Sequence, residues 1–255
     1  MAALPPQDPV SSTQLKPAPA TVDGVDAVNS ALIRQRIEQI RAGIPGHIQI
    51  MAVSKGYGVA HIKAAYEAGL RHFGESRIQE AQPKIKELQH SHPDITWHLI
   101  GHLQSNKAKA ALELFDWIDS VDSLKLAQAL DQRAQNQRAQ NLTNPPALSL
   151  QIKLAPDPDK YGWTEANLWE QLPDLSQLQA LAIRGVLTIL PLGLQDPEVE
   201  ALFQSLPRLA QELSLRSGGI IQPTVISMGM SGDYPLAIKA GSTQIRLGRS
   251  LFADA

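Results

Sequence analysis

The feature that most constrains this chain is an alternation. After Val25, apolar runs of strand character alternate with segments of helical period, and the alternation recurs eight times. Strands are predicted over 47–54, 71–74, 95–100, 117–121, 147–154, 181–189, 223–228 and 243–247. Helices are predicted over 59–69, 76–90, 104–114, 123–139, 164–171, 196–216 and 232–240. Strict βα alternation implies a parallel sheet with right-handed crossovers. Eight units in 255 residues predict an α/β fold, a single-domain (β/α)8 TIM barrel. Val28, Leu32, Ile33, Ile37 and Ile40 mark an additional N-terminal helix, which can fill the place of the missing outer helix after the last strand. An open doubly wound sheet is the alternative. It usually brings a Gly-rich nucleotide fingerprint after the first strand, and none stands there.

No linker or composition shift follows residue 45, so 25–255 reads as one domain. Residues 1–24 hold five of the 18 prolines and little apolar surface, and read as a disordered tail. That segment lacks the apolar stretch of a secretory signal and the arginines of a transit peptide. Cysteine is absent, which excludes disulfides, thiolate metal sites, iron–sulfur clusters and a cysteine nucleophile, and fits a cytoplasmic protein. A net charge of −2 gives no ground for a nucleic-acid or anionic-membrane partner. No apolar run approaches the roughly 20 residues of a membrane span.

In a barrel the chemistry sits at the C-terminal ends of the strands. That rule selects Lys55, Gly74-Glu75-Ser76, Gly101-His102, the turn Met228-Gly-Met-Ser231-Gly232, and Arg246-Leu-Gly248-Arg249. A neutral amine at a barrel mouth is a nucleophile toward aldehydes. On periodicity alone, Lys55 reads more readily as an ordinary strand-end lysine in solvent. The Ser/Gly turn precedes a helix near Asp233, at the end where such barrels bind phosphate, with Arg246 and Arg249 nearby. Its glycines can also serve only to shape tight turns. His98 and His102, on a strand and its loop, have no carboxylate completing a ligand set in sequence, so no metal site is expected. A phosphorylated aldehyde such as pyridoxal phosphate would satisfy both the lysine and the cradle.

These stretches resemble a known family. Ala52-Val-Ser-Lys55, Phe73-Gly-Glu75 with Gln79-Glu80, Trp97-His-Leu-Ile-Gly-His-Leu-Gln-Ser-Asn-Lys107, Lys160 with Gly162, Arg184-Gly185, Ser227-Met-Gly-Met-Ser231 and Gly241-Ser-Thr243 through Gly248 run in the order of the pyridoxal-phosphate-binding homeostasis proteins, which share the barrel of alanine racemase. The resemblance implies that Lys55 carries the cofactor as an aldimine, and that Ser231, Thr243, Gly248 and neighbours hold its phosphate. It also implies that Arg246 approaches the ring and Met228 packs beside it. Ser76 stands where the family usually has Asn, and Gly56-Tyr-Gly58 makes a looser loop than usual.

Racemases of this fold take a second base from a further β-domain, and this chain stops seven residues after Gly248. The expectation is therefore a cytoplasmic, monomeric carrier in vitamin B6 homeostasis and amino- and keto-acid balance, without robust turnover. Its partners would be the cofactor, amino acids or apo forms of enzymes that use it. A small amino-acid racemase and a Schiff-base aldolase acting on phosphosugars are the alternatives.

Overall fold

A computed structural model describes residues 28–139 and 145–255; the tail expected over 1–24 lies outside the described residues. The chain runs α1 (Ser30–Ala42), β1 (Gln49–Val53), α2 (Val59–Glu67), β2 (His72–Glu75), α3 (Ile78–Leu88), β3 (Thr96–Leu99), α4 (Ala108–Leu114), β4 (Trp117–Val121), α5 (Leu124–Ala139) and β5 (Ala147–Ile152). It continues α6 (Glu165–Leu175), β6 (Ala182–Thr188), α7 (Asp196–Arg216), β7 (Val225–Ser227), α8 (Tyr234–Lys239), β8 (Gln244–Leu247) and α9 (Arg249–Phe252). A 3-10 turn, Ser105–Lys107, leads into α4. The strands pair in chain order, all parallel, and β8 pairs back onto β1 to close the barrel.

The expected strands are all present, trimmed or shifted at their ends by a residue or two. One expectation is corrected. The outer place after β8 is not left to the N-terminal helix alone, because the short α9 follows at once. Four residues are too few for a helical period to register in sequence. The Asn29 side chain accepts from Leu32 N–H and caps α1. Arg36 of α1 then donates to the carbonyls of Leu251 and Ala253, at 3.2 and 2.5 Å, so α1 and α9 cover this flank together.

Along β1 the side chains alternate. Ile50 and Ala52 join the apolar layer between sheet and helices. Gln49, Met51 and Val53 take the opposite, interior positions. The interior is not apolar. Gln244 Nε2 donates to Gln49 Oε1 at 2.6 Å, and Gln49 Nε2 lies 2.5 Å from His72 Nε2. His72 Nδ1 lies 3.0 Å from His98 Nε2, and His98 Nδ1 lies 2.7 Å from Asp119 Oδ2. Ser149 Oγ donates to Asp119 Oδ1 at 2.7 Å. One tautomer of each neutral ring accounts for every bond in the row, with every donor pointing toward Asp119, while Gln244 Oε1 is buried without a partner. The belt crosses β8, β1, β2, β3, β4 and β5, and Gly185 on β6 makes room for its end, since a Cβ there would lie 2.5 Å from Ser149 Oγ.

Burial first, and the neighbouring His98 second, hold the His72 pKa down from 6.5 to about 4. In the unfolded chain the ring takes its proton near its ordinary value. Between the two values, protons therefore favour unfolding: the contribution is whole above about 6.5 and is lost as pH falls toward about 4. The melting-temperature advantage of the parent over His72→Gln should shrink steadily through that window. Thermal denaturation in buffers across the range checks it, and a constant difference would contradict the reading.

Candidate functional site

Lys55 lies two residues beyond the end of β1, at the C-terminal mouth of the barrel. It is exposed and, among the described residues, has no hydrogen-bond or ion-pair partner. The residue before it is held firmly. Ser54 N–H donates to the Gly74 carbonyl at 3.0 Å, continuing the β1–β2 ladder, and its hydroxyl is bonded to Glu75. Because β8 pairs with β1, Ala52 opposite Leu247, the end of β8 arrives beside this loop. A Cβ on Gly248 would lie 3.4 Å from the Val53 carbonyl, so the chain after β8 passes close to the strand end that carries Lys55.

Arg246 occupies the interior position opposite Met51 and is only 4% exposed. Its guanidinium donates to Ser227 Oγ at 3.0 Å and to the Thr188 carbonyl at 2.6 Å, both neutral acceptors. Desolvation lowers its pKa from the ordinary arginine range to about 10, while the fields of Asp119 and Asp233 act in the opposite direction. The group therefore remains a cation at neutral pH, and its remaining N–H donors are available to a ligand in the barrel.

The loops after β7 and β8 meet at the mouth. Ser231 Oγ and Ser250 Oγ are 2.9 Å apart, and Ser250 N–H approaches Ser231 Oγ at 3.4 Å. Arg249 opens α9 beside them and is exposed. Asp233 turns the β7 loop by accepting from Met230 N–H at 2.5 Å. Gly229 makes that turn possible. Its φ is +93°, and a Cβ would sit 2.6 Å from the Ala237 Cβ and 2.9 Å from the Tyr234 Cα. A hydroxyl pair, backbone N–H groups and an arginine here form a polar, cationic corner suited to an anion.

Two expected site residues are not brought to this corner. Thr243 precedes β8 and so lies at the opposite, N-terminal end of the barrel; its hydroxyl accepts from Ile226 N–H at 2.8 Å. Motif proximity to Arg246 suggested the assignment, but a strand of four residues separates the two ends of the barrel. Met228 is 0% exposed and packs in the apolar core, because the strand alternation that turns Ser227 inward turns it toward the helices. Lys55, Ser231, Arg246, Gly248 and Arg249 remain at or facing the mouth.

The histidines differ from expectation in another way. Each finds a carboxylate: His98 pairs with Asp119 and His102 with Asp122, at 2.7 and 2.9 Å. The pairs are separate, and among the described residues no group of three or more His, Asp or Glu side chains could hold a metal. His102 also stacks on Tyr161, ring centroids 3.7 Å apart. Lys160 is tied to the Leu190 carbonyl at 2.5 Å and to Asp157 at 3.3 Å, unlike Lys55. Sequence reading missed Ser250, Lys84 and the interior belt, whose members are far apart in the chain and carry no spacing signal.

Gly229→Ala is expected to destabilise the protein by about 1–3 kcal/mol, through overpacking and a strained backbone. Urea denaturation with an unchanged m-value checks it.

Comparison with known proteins places this geometry in context. Residues 28–255 match the family model described as alanine racemase, N-terminal domain. A pyridoxal phosphate homeostasis protein from Synechocystis sp. is 48% identical over 216 residues, covering 85% of this chain and 95% of that protein. The structure of PipY from Synechococcus elongatus with PLP bound has a TM-score of 0.80 at 48% identity, covering 87% of this chain and all of that one, 100%. An alanine racemase from Clostridium difficile shares the fold, with a TM-score of 0.71 at 13% identity, over 88% of this chain and 57% of its own. Among the described residues, no helix is long and apolar enough to cross a membrane.

Proposed function

The chain belongs to the alanine racemase N-terminal domain family, alongside the pyridoxal phosphate homeostasis proteins, and from that premise we propose that it binds pyridoxal 5′-phosphate through Lys55 and acts in the intracellular homeostasis of that cofactor. The observation that carries the reading is the juxtaposition at the β1–β8 seam. Lys55, unpartnered among the described residues, follows the strand end that Gly248 approaches, and the neighbouring strand carries the buried Arg246.

The residues fit the molecule. When bound, pyridoxal phosphate supplies an aldehyde for condensation with an amine, a ring nitrogen and a dianionic phosphate. Lys55 offers the amine. Ser231 and the backbone around Gly248 offer donors to the phosphate, and Arg249 offers charge. Arg246 faces the interior as a cation at neutral pH, so it would offer an N–H donor to a ring nitrogen set against it and would oppose protonation there. A ring nitrogen kept neutral is a weak electron sink, which favours holding and releasing the cofactor over turning substrates over.

We read the protein as a cytoplasmic, monomeric carrier, exchanging its cargo with amino acids or with apo-enzymes, rather than as an enzyme. Racemisation needs acid–base groups on both faces of the substrate carbon. The part of the Clostridium difficile racemase that aligns here is 57% of that chain, and the likeness at 13% identity concerns the fold alone.

The test is direct. The purified, loaded protein should be yellow, and borohydride should fix the label on Lys55; Lys55→Ala should lose both, while fixation on Lys107 or Lys160 would overturn the assignment. Pyridoxal phosphate should bind more tightly than pyridoxal by about one to two decades or more, the worth of one charge-assisted hydrogen bond being ~1.5–3 kcal/mol; fluorescence titration reads the ratio, and equal affinities would refute an anion corner. With L-alanine, chiral chromatography should find negligible racemisation. Turnover in the ordinary range of ~1–10³ per second would make the protein an enzyme.

A further inference from the structure

We propose that Lys84 and Glu75 form a positioning pair that holds the strand end carrying Lys55 and makes Lys55, rather than Lys84, the amine that captures an aldehyde. The inference rests on the reading of Lys55 given above and adds two residues to it.

Two lysines meet at this corner of the barrel. Lys84, on α3, places Nζ 2.7 Å from Glu75 Oε1 and 3.0 Å from the Ser54 carbonyl. Its side chain is 13% exposed, and that of Glu75 is 0% exposed. The same Oε1 accepts from Ser54 Oγ at 2.6 Å. Hydroxyl, carbonyl and N–H of Ser54 are thus all engaged: by Glu75, by Lys84, and by the Gly74 carbonyl at 3.0 Å. Strand alternation does the rest. Ser54 shares its side with Ala52, on the helix-facing surface where Glu75 and Lys84 sit, so a pinned Ser54 fixes the strand end from which Lys55 departs.

The pair also settles which amine is reactive. An ammonium held by a buried carboxylate has no lone pair to offer, and Lys84 is so held. Lys55 has no partner among the described residues, so no hydrogen bond or ion pair holds its nitrogen away from an aldehyde. The Lys55 nitrogen then adds to the aldehyde carbon. Two protons from nitrogen and the aldehyde oxygen leave as one water, and a carbon–nitrogen double bond remains. Glu75 Oε2 is buried with no partner, so the carboxylate's charge is met through Oε1 alone, by Lys84 and one hydroxyl. Among the described residues, no other cation is paired with Glu75.

The experiment uses the full chain, pyridoxal phosphate as probe and borohydride as reductant, with labelled peptides quantified by mass spectrometry. The parent should be labelled at Lys55. Glu75→Gln frees Lys84, and the Lys84-to-Lys55 label ratio should rise by about tenfold or more, the value of one charge-assisted hydrogen bond. Lys84→Arg keeps charge and donors and should label Lys55 at the parent rate, whereas Lys84→Met should label it more slowly. The double variant Glu75→Leu/Lys84→Met removes both charges together; it should fold by circular dichroism and also label Lys55 slowly. A merely structural pair would lower the melting temperature and leave both ratio and rate unchanged; that result overturns the proposal while the reading of Lys55 stands. A parent labelled elsewhere overturns both.

Discussion

Four register pairs between β8 and β1, from Gln49 opposite Gln244 to Ala52 opposite Leu247, join the two ends of the sheet. The candidate site depends on that closure. Lys55 and Gly248 are separated by most of the chain, yet both emerge from neighbouring strands at the same end of the barrel. The long-range pairing also brings Ser250 of α9 onto Ser231 of the β7 loop. Without the seam, the Lys55 amine and the Ser231–Ser250 hydroxyl corner would be unrelated surface features.

Closure also creates an interior, and here that interior is polar. Arg246 is desolvated and met by two neutral oxygens. The row from Gln244 to Asp119 directs its donors one way, and Ser149 donates to Asp119 from the opposite side. Buried polar groups of this kind are tolerable where they find partners, and costly when a partner is lost. A row with one consistent direction also fixes the rotamers of its members, and so the platform beneath Arg246. Polar interior and candidate site are therefore one construction, with the belt at one level of the barrel and the Arg246 guanidinium at another.

Some of this is legible in the chain order. The period of two along β1 and the period near 3.6 along α7 survive in the sequence because burial on one face demands apolar residues at those spacings. The eight strands follow from it. So does the rule that strand ends carry function, which points to Lys55, Ser231, Gly248 and Arg249. The same reasoning misplaces Thr243 and Met228. Nearness in a motif says nothing about which end of a strand a residue occupies, or which face it turns.

The sequence by itself determined the number and order of the βα units, the absence of cysteine chemistry, and the family to which the motifs belong, since these are written in local pattern and composition. Tertiary structure alone decided that Lys84 reaches Glu75, that His72, His98 and Asp119 form one row, and that Arg246 is buried between Ser227 and Thr188. These contacts join residues from different strands and helices. Their energies depend on distance, orientation and exclusion of water, quantities that exist only once the sheet has closed and that leave no period in the chain.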